Sequence, residues 1–469
     1  MKSKKYSKFI YLSILIILFL FMPEVKSEIN IQNITTNILI FFTTLVFHFF
    51  IQKDENWFRL DVLFLLGFGI VHFQWAIMLA LSNMSLENLN FIKYGFISLK
   101  YMNYGTWLAT IGIVSWFLGY ESLAKKNKKI VLYKIKYKKL LWTSIILFIL
   151  FIITAGSDFF NGGVYKGSGG SSAGAGISVY FQLLLGISIL TLTTISILDT
   201  KNKYKNKINF IKWLYKIDKK YLLLTIIYIL LFLSIGDRGT GMQIAFTFLI
   251  IFGSSIQPIK FKQFSMIIVI GAVILTLIGL GRSVKSDENI LLAGASKVKF
   301  ESNYDVTMEL ANSVRTLYLS LEKVPEYHNY FFGKLWIGEA LSIIPLSQNI
   351  YLQLSDYPVY ELGSARYITY LRFGIKPPSG EGTSLIADIY LNFSLIGVII
   401  FMFFLGVFMK KLQNELNKQE NFYWIITAGI FASMTLYMGR GDLFGNIRPI
   451  VWGLILTIIL VKYKKKVYS

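Results

Sequence analysis

Residues 266–280 read MIIVIGAVILTLIGL, a run without a charged side chain or a proline. A similar run occupies residues 9–22. A helix needs about 20 mostly apolar residues to cross a bilayer, with ~17–25 usual. The runs are continuous and do not alternate, as a membrane β-strand would. They therefore predict membrane-spanning α-helices, and this prediction decides the fold class.

Composition supports the same fold class. The chain has 469 residues, of which 54% are hydrophobic and 16% charged, and its mean hydropathy is +0.55. Soluble domains carry about 25% charged residues, and a single soluble core stops growing near ~250–300 residues. These values exclude a soluble enzyme, a disordered chain and a secreted domain. The absence of cysteine excludes disulfides, zinc–thiolate sites, iron–sulfur clusters and a cysteine nucleophile.

The apolar segments predict an all-α polytopic membrane protein with about twelve transmembrane helices. Three regions follow: helices one to nine with short loops in 1–281, a large extracytoplasmic region with amphipathic helices in 282–384, and three helices with a basic tail in 385–469. The twelve segments are 9–22, 34–52, 62–80, 105–120, 140–155, 177–197, 221–235, 242–256, 266–281, 385–409, 422–438 and 447–461.

Positive charge fixes the predicted orientation. The net charge is +22, and 31 of the 48 Lys and Arg residues fall in segments that are cytoplasmic if the N-terminus is inside. Lys and Arg concentrate in cytoplasmic loops, so the basic clusters at 125–139 and 201–207 are interpreted as topology signals rather than as a nucleic-acid site. We expect the first helix to be retained, because the cleavage signal after it is poor. Both termini are predicted to be cytoplasmic.

Arginine is sorted differently from lysine. Only eight of the 48 basic residues are Arg, and Arg59 alone lies in a predicted cytoplasmic segment. The orientation of a membrane protein needs positive charge, which Lys and Arg supply equally well. A guanidinium also offers a planar fork that matches phosphate or carboxylate. The alternative is that some of them pair with acidic neighbours such as Asp237 or Asp442. The predicted outer arginines are Arg238, Arg282, Arg315, Arg366, Arg372, Arg440 and Arg448.

Three of the glycine-containing outer segments precede helices that run from outside to inside. They are residues 236–241 (GDRGTG), 377–384 (PPSGEGTS) and 439–442 (GRGD). Helix N-termini present free N–H groups and a partial positive charge, which favour anions. The sequence therefore predicts an anionic ligand at the outer face, although tight glycine turns also simply connect helices.

Few ionisable residues fall inside the predicted spans. On these boundaries Asp388 is the single one, and His48 and His72 are expected to be packed or hydrogen-bonded. Ion-coupled transporters usually carry intramembrane charges, so this count disfavours a pump. In the outer region the spacing of Val306 to Leu321 predicts an amphipathic helix. The aromatic residues at 327–330 (YHNY) suit sugars, but are more typical of a membrane-interface belt.

With these residues, the chain resembles the bacterial oligosaccharide repeat-unit (O-antigen or capsule) polymerases. The resemblance lies in residues 236–239 (GDRG), 380–393 (GEGTSLIADIYLNF), 440–443 (RGDL) and the long outer loop, and it covers roughly the second half of the chain. Two departures occur: members often have Glu at the position of Asp388, and a Phe-Gly pair where Phe393-Ser394 stands.

The resemblance implies a GT-C-like membrane glycosyltransferase in a bacterial inner (cytoplasmic) membrane. With several arginines present, we expect no metal or other cofactor. The donor would be a glycan on polyprenyl diphosphate, the acceptor a lipid-linked repeat unit, and the leaving group polyprenyl diphosphate. A chain-length regulator and a flippase would be its partners. The seven outer arginines would bind the diphosphate. The candidate general bases are Asp388, Glu381, Glu339 and His328.

Three other readings stay open at this stage. A flippase or exporter of lipid-linked oligosaccharide would suit twelve spans, but the two halves show no repeat. An O-antigen ligase-type enzyme would share nearly all the chemistry. A purely structural or receptor-like membrane protein would not explain the sorted arginines.

Overall fold

The structure, a computed structural model, describes residues 2–81, 95–124, 130–160, 176–203, 210–281 and 305–468. Arg282 and the first part of the predicted outer region lie outside these residues. The helices up to residue 281 are α1 (Lys2–Leu20), α2 (Ile31–Gln52), α3 (Leu60–Leu81), α4 (Met102–Ser122), α5 (Lys138–Thr154), α6 (Gly156–Phe160), α7 (Ile177–Lys203), α8 (Phe210–Lys216), α9 (Lys219–Ser234), α10 (Arg238–Ser255) and α11 (Phe261–Gly281).

The helices from residue 305 onward include short ones in the predicted outer region and three long or apolar ones after it. They are α12 (Asp305–Ala311), α13 (Arg315–Lys323), α14 (Ile337–Leu341), α15 (Ser347–Leu354), α16 (Ser364–Phe373), α17 (Leu385–Lys418), α18 (Phe422–Met434) and α19 (Ile447–Leu460). The predicted amphipathic helix is thus confirmed as α12 and α13, joined by a 3-10 turn at Asn312–Val314.

Each of the twelve apolar segments is helical, which confirms an all-α membrane protein. Five helices in the described part are long and apolar enough to cross a membrane. The count of twelve spans and the GT-C-like arrangement stay predictions. The five are Ile31–Gln52, Leu60–Leu81, Ile177–Lys201, Leu385–Lys418 and Phe422–Arg440.

A two-stranded antiparallel sheet joins distant parts of the chain, which the sequence analysis did not predict. Strand β1 (Ile130–Lys136) pairs with β2 (Lys462–Tyr468). Side chains alternate between two faces of a strand, and Val131, Tyr133 and Ile135 are buried. Both strands come from segments predicted to be cytoplasmic, so the pairing agrees with a shared side for them.

Helices α4 and α17 approach each other closely through glycine. A Cβ atom added at Gly119 would lie 1.9 Å from the Phe403 carbonyl oxygen, and one at Gly406 would lie 2.1 Å from the Trp116 carbonyl oxygen. No side chain fits at either position without moving the backbone. The contact holds α17 against the centre of the bundle, where α4 is almost entirely buried.

The first turns of α17 are separated from the rest by a break at Phe393-Ser394. Ser394 has φ 60° and ψ −162°, a combination adopted almost only by glycine. Because of the break, two carbonyl groups of the helix are available to the neighbouring loop. Phe331 N–H donates to the Leu391 carbonyl (3.0 Å) and Phe332 N–H to the Asn392 carbonyl (2.8 Å). The loop after α13 is thereby anchored to the short first part of α17.

A group of charged residues is buried among α2, α3, α4 and α17. The expectation that Asp388 is the single such residue is corrected, because the helices extend past the predicted segments and bury Asp61, Glu121 and Lys410. The predicted hydrogen bonding of His48 is confirmed by its Nε2, 3.1 Å from Asp61 Oδ2. Arg59 also binds Asp61, with Nε 2.9 Å from Oδ1. Asp61 thus has two basic partners, as a buried carboxylate requires.

Candidate functional site

Asp388 lies in the first turn of α17 and its side chain is completely buried. Its carboxylate accepts hydrogen bonds from three parts of the chain. Trp336 Nε1 donates to Oδ1 (2.9 Å) and Oδ2 (3.1 Å), the Leu443 N–H donates to Oδ2 (2.8 Å), and the Ser364 hydroxyl donates to Oδ1. Three hydrogen-bond donors satisfy a carboxylate that burial would otherwise penalise. Asp388 therefore ties α14, α16 and the segment before α19 to α17.

Two further carboxyl groups face Asp388. Burial and the negative charges of Asp388 and Glu339 raise the pKa of Asp442 well above its usual value. Burial and Asp388 also raise the pKa of Glu339, against the opposing effect of Arg448 and Arg366. The Oδ1 atom of Asp442 is buried without a hydrogen-bond partner among the described residues. Asp388, Glu339 and Asp442 form a carboxyl cluster. At least one carboxyl group of this cluster is therefore favoured in its protonated form.

Glu381 is shared by two of the predicted arginines. Arg315 Nε and Arg372 Nη1 both contact Glu381 Oε1. The Glu381 side chain is only 4% exposed, and its own N–H donates to Thr369 Oγ1 (3.0 Å). The pair is therefore largely shielded from water. Glu381, predicted as a base, lies between two guanidinium groups.

A second carboxylate, Glu309 of α12, bridges two more predicted arginines. Arg238 Nη2 contacts Glu309 Oε2, and Arg440 Nη1 lies 3.6 Å from Oε1. Glu309 is 60% exposed, so this bridge is open to water and to competing anions. Asp237, considered as a partner of Arg238, caps α10 and accepts from the Gly239 N–H at 2.8 Å.

The remaining predicted residues are placed as follows. Arg366 is exposed on α16 and Arg448 is partly buried at the start of α19, and both act electrostatically on Glu339. The Arg448 guanidinium lies 5.9 Å from the ring centre of Trp452. His328 lies in the loop after α13, with Nδ1 2.8 Å from the Asn329 carbonyl oxygen. Arg282 lies outside the described residues.

The contacts bring three helix N-termini to one end of the bundle. Arg238 begins α10 and shares Glu309 with Arg440. The first turn of α17 binds Leu443 through Asp388, and the chain from Leu443 leads directly into α19. The glycine-containing segments are therefore linked by the Arg440–Glu309 ion pair and by the Leu443–Asp388 hydrogen bond.

Sequence reasoning missed Glu309, Trp336 and Ser364. Glu309 lies off the apolar stripe of the predicted amphipathic helix, so its position was available, but its arginine partners are 71 and 131 residues away. Trp336 and Ser364 reach Asp388 across 52 and 24 residues. No local spacing signals such contacts.

The fold and the site together define a class of protein: a membrane-embedded helical bundle with arginines and carboxylates gathered at one end. The family model of the O-antigen polysaccharide polymerase Wzy matches residues 210–468. The chain belongs to this family of membrane-embedded polysaccharide polymerases. Neither a curated protein sequence nor a solved structure matches the chain significantly. The match includes all the arginines and carboxylates of the candidate site, and it begins after the helices of the first half. Membership implies a lipid-linked oligosaccharide as the substrate, within a multi-pass membrane protein.

Proposed function

We propose that the chain joins polyprenyl-diphosphate-linked oligosaccharide repeat units at the outer face of the cytoplasmic membrane. A hydroxyl group of the acceptor repeat unit attacks the anomeric carbon of the donor glycan. The bond from that carbon to the diphosphate oxygen breaks, and polyprenyl diphosphate leaves with the bonding electrons. The growing glycan is thereby transferred to the incoming lipid-linked unit.

The arginines that share single carboxylates carry this proposal. Arg238 and Arg440 meet on Glu309, and Arg315 and Arg372 meet on Glu381. In each pair a carboxylate occupies the position that an anionic ligand could take. A diphosphate gains charge as it leaves, and guanidinium groups held nearby stabilise that charge. Because they supply the positive charge, no metal or other cofactor takes part in the proposed reaction.

Glu339 is the proposed general base among the four candidates. It is only partly buried, and its raised pKa makes it a better proton acceptor than an ordinary carboxylate. Asp388 is occupied by three donors and positions the surrounding chain, while Glu381 is held by two guanidinium groups. A proton taken by Glu339 stays next to Asp388, whose charge helps to retain it.

The direct test uses purified protein and lipid-linked repeat units, extracted from cells that lack this chain. No nucleotide sugar or metal is added. We expect a ladder of products that each differ by one repeat unit. Movement of the substrate between leaflets without a ladder would indicate a flippase. A single transfer to a different acceptor would indicate a ligase.

The proposed orientation is tested by labelling with an impermeant thiol reagent in intact cells. The chain has no cysteine, so single introduced cysteines give a clean signal. A cysteine at position 327 should be labelled from outside and one at position 134 should not. Labelling at 134 from outside would refute the orientation, and with it the proposed location of the reaction. A chain-length regulator and a flippase are the expected partners.

A further inference from the structure

A cavity of about 390 Å³ lies beside the carboxyl cluster, in the predicted outer region. Small-molecule sites usually have ~300–1,000 Å³, so the cavity is large enough for a ligand. Its walls come from the loop after α13, the 3-10 turn at Val359–Glu361 and α16. The lining residues are His328, Asn329, Tyr330, Phe331, Lys334, Tyr360, Glu361, Tyr367 and Tyr370.

One wall of the cavity is a flat aromatic surface. The rings of Tyr360 and Tyr370 are stacked, with centroids 3.8 Å apart and planes at 7°. Tyr367 meets Phe331 edge to face, with centroids 4.6 Å apart. Stacking fixes the orientation of both rings of the pair, so the ring face that the pair turns to the cavity is a rigid platform.

Polar groups face the same space. The Nδ1 atom of His328 lies against a carbonyl oxygen, which can only accept, so Nδ1 carries a hydrogen. In the neutral ring Nε2 therefore accepts, and the Tyr367 hydroxyl donates to it. This leaves the lone pairs of the Tyr367 oxygen able to accept hydrogen bonds from a ligand. Glu361 adds acceptors and Lys334 adds donors.

The cavity and the carboxyl cluster share their supporting elements. Helix α16 carries Ser364, which binds Asp388, then Tyr367 and Tyr370 in the cavity wall, then Arg372, which binds Glu381. At about 1.5 Å per residue these groups span roughly 12 Å of one helix. The loop that supplies His328 is anchored to α17 at the Phe393-Ser394 break. The cavity, the carboxyl cluster and the Arg372–Glu381 pair are thus held by the same helix.

We propose that this cavity binds one sugar ring of the lipid-linked oligosaccharide, and so sets which repeat unit is accepted. A sugar has a C–H face that packs on an aromatic ring and an edge of hydroxyl groups that needs donors and acceptors. The tyrosine platform and the polar rim match these two sides. None of the arginines in the described ranges lines the cavity, so a sugar fits it better than a phosphate does. The inference rests on the proposed function, and it assigns His328 to binding rather than to proton transfer.

The test measures binding of the sugar part of the substrate in the absence of the diphosphate. The probe is the oligosaccharide released by mild acid from the repeat-unit lipid that accumulates in cells lacking this chain. Binding of this soluble glycan to the full-length protein in lipid nanodiscs is measured by saturation-transfer NMR and by titration. We expect Tyr360→Leu and Tyr370→Leu each to weaken binding about tenfold, a typical loss for an interfacial tyrosine.

Tyr351→Leu is the matched control. Tyr351 forms an aromatic pair with Tyr357 (centroids 5.4 Å apart) on the same outer region, but does not line the cavity. It should bind the glycan as wild type does. In the polymerisation assay the two cavity variants should raise the KM for the repeat unit more than they lower kcat, because the platform binds substrate before and during the reaction.

The outcomes distinguish this inference from the proposed function. Glycan binding that depends on Tyr360 and Tyr370, in a protein that forms no ladder, would support the cavity and refute the polymerase. A ladder with an unchanged KM in both variants and no glycan binding would overturn the cavity and keep the polymerase. Equal losses in Tyr351→Leu would also overturn it, because the tyrosines would then act as a general interface belt.

Discussion

Replacing Ser394 by glycine should stabilise the protein. Ser394 is held at φ 60° and ψ −162°, and such a conformation costs a non-glycine residue about 1–3 kcal/mol. Glycine removes this cost but loses more backbone entropy on folding, roughly 0.5–1 kcal/mol. The net expectation is a gain of about 1 kcal/mol, within limits of about 0–2.5 kcal/mol, and 1 kcal/mol equals about fivefold in the unfolding equilibrium constant.

The gain is measured by titrating SDS into mixed micelles and following the loss of helical structure. The control is Ser144→Gly in the regular helix α5, where Ser144 donates to the Leu140 carbonyl at 2.8 Å. Glycine there should destabilise by at least about 0.5 kcal/mol. The two serines thus predict opposite signs for the same substitution. If Ser394→Gly destabilises as Ser144→Gly does, the break at Phe393-Ser394 does not have the described backbone conformation.

The other predictions concern the charged groups. Arg238→Lys and Arg440→Lys should leave the protein inserted but slow ladder formation about 10²–10³-fold each, because lysine keeps the charge and loses the fork; normal rates in both would refute the diphosphate role. Asp388→Asn should lower the unfolding free energy by about 1–3 kcal/mol, since its amide group would oppose one of three donors, and an unchanged SDS titration would contradict this. The pKa of Asp442 is raised in the folded protein. Its contribution to the free energy of unfolding is therefore greatest below the pKa of the unfolded chain, near ~3.9, and it diminishes as the pH rises through the folded pKa. Asp442→Asn should flatten that fall in a pH series of SDS titrations, and an identical pH profile would exclude the shift.

The sequence was a good guide to the helices and a partial guide to the site. Long apolar runs set helix positions because a membrane helix must satisfy its backbone groups internally. Four of the arginines singled out by sorting, Arg238, Arg315, Arg372 and Arg440, meet in pairs on two carboxylates. Their binding of a diphosphate stays a prediction. Their common partners could not be predicted, because hydrogen bonds and ion pairs between distant segments leave no trace in local spacing.

Strand β1 and the break in α17 escaped prediction for different reasons. Val131, Tyr133 and Ile135 alternate with Leu132, Lys134 and Lys136, and the lysines were interpreted only as a topology signal. The strand also needs a partner, which lies far along the chain. The unusual backbone of Ser394 is hidden because serine stands where the resembled family often has glycine. That difference, noted first as a departure, has a conformational explanation in the φ and ψ angles.

The pairing of β1 with β2 has a consequence for biosynthesis. About 325 residues separate the strands, so at ~5–20 residues per second the ribosome adds them over roughly 16–65 s. Throughout that interval the edge of β1 has no partner, and an unpaired edge invites wrong association. Lys134 and Lys136, on the solvent-exposed face of β1, are suited to discourage such wrong association. Nascent chains should therefore become more prone to aggregate when both lysines are replaced by threonine, even though the finished fold tolerates the change.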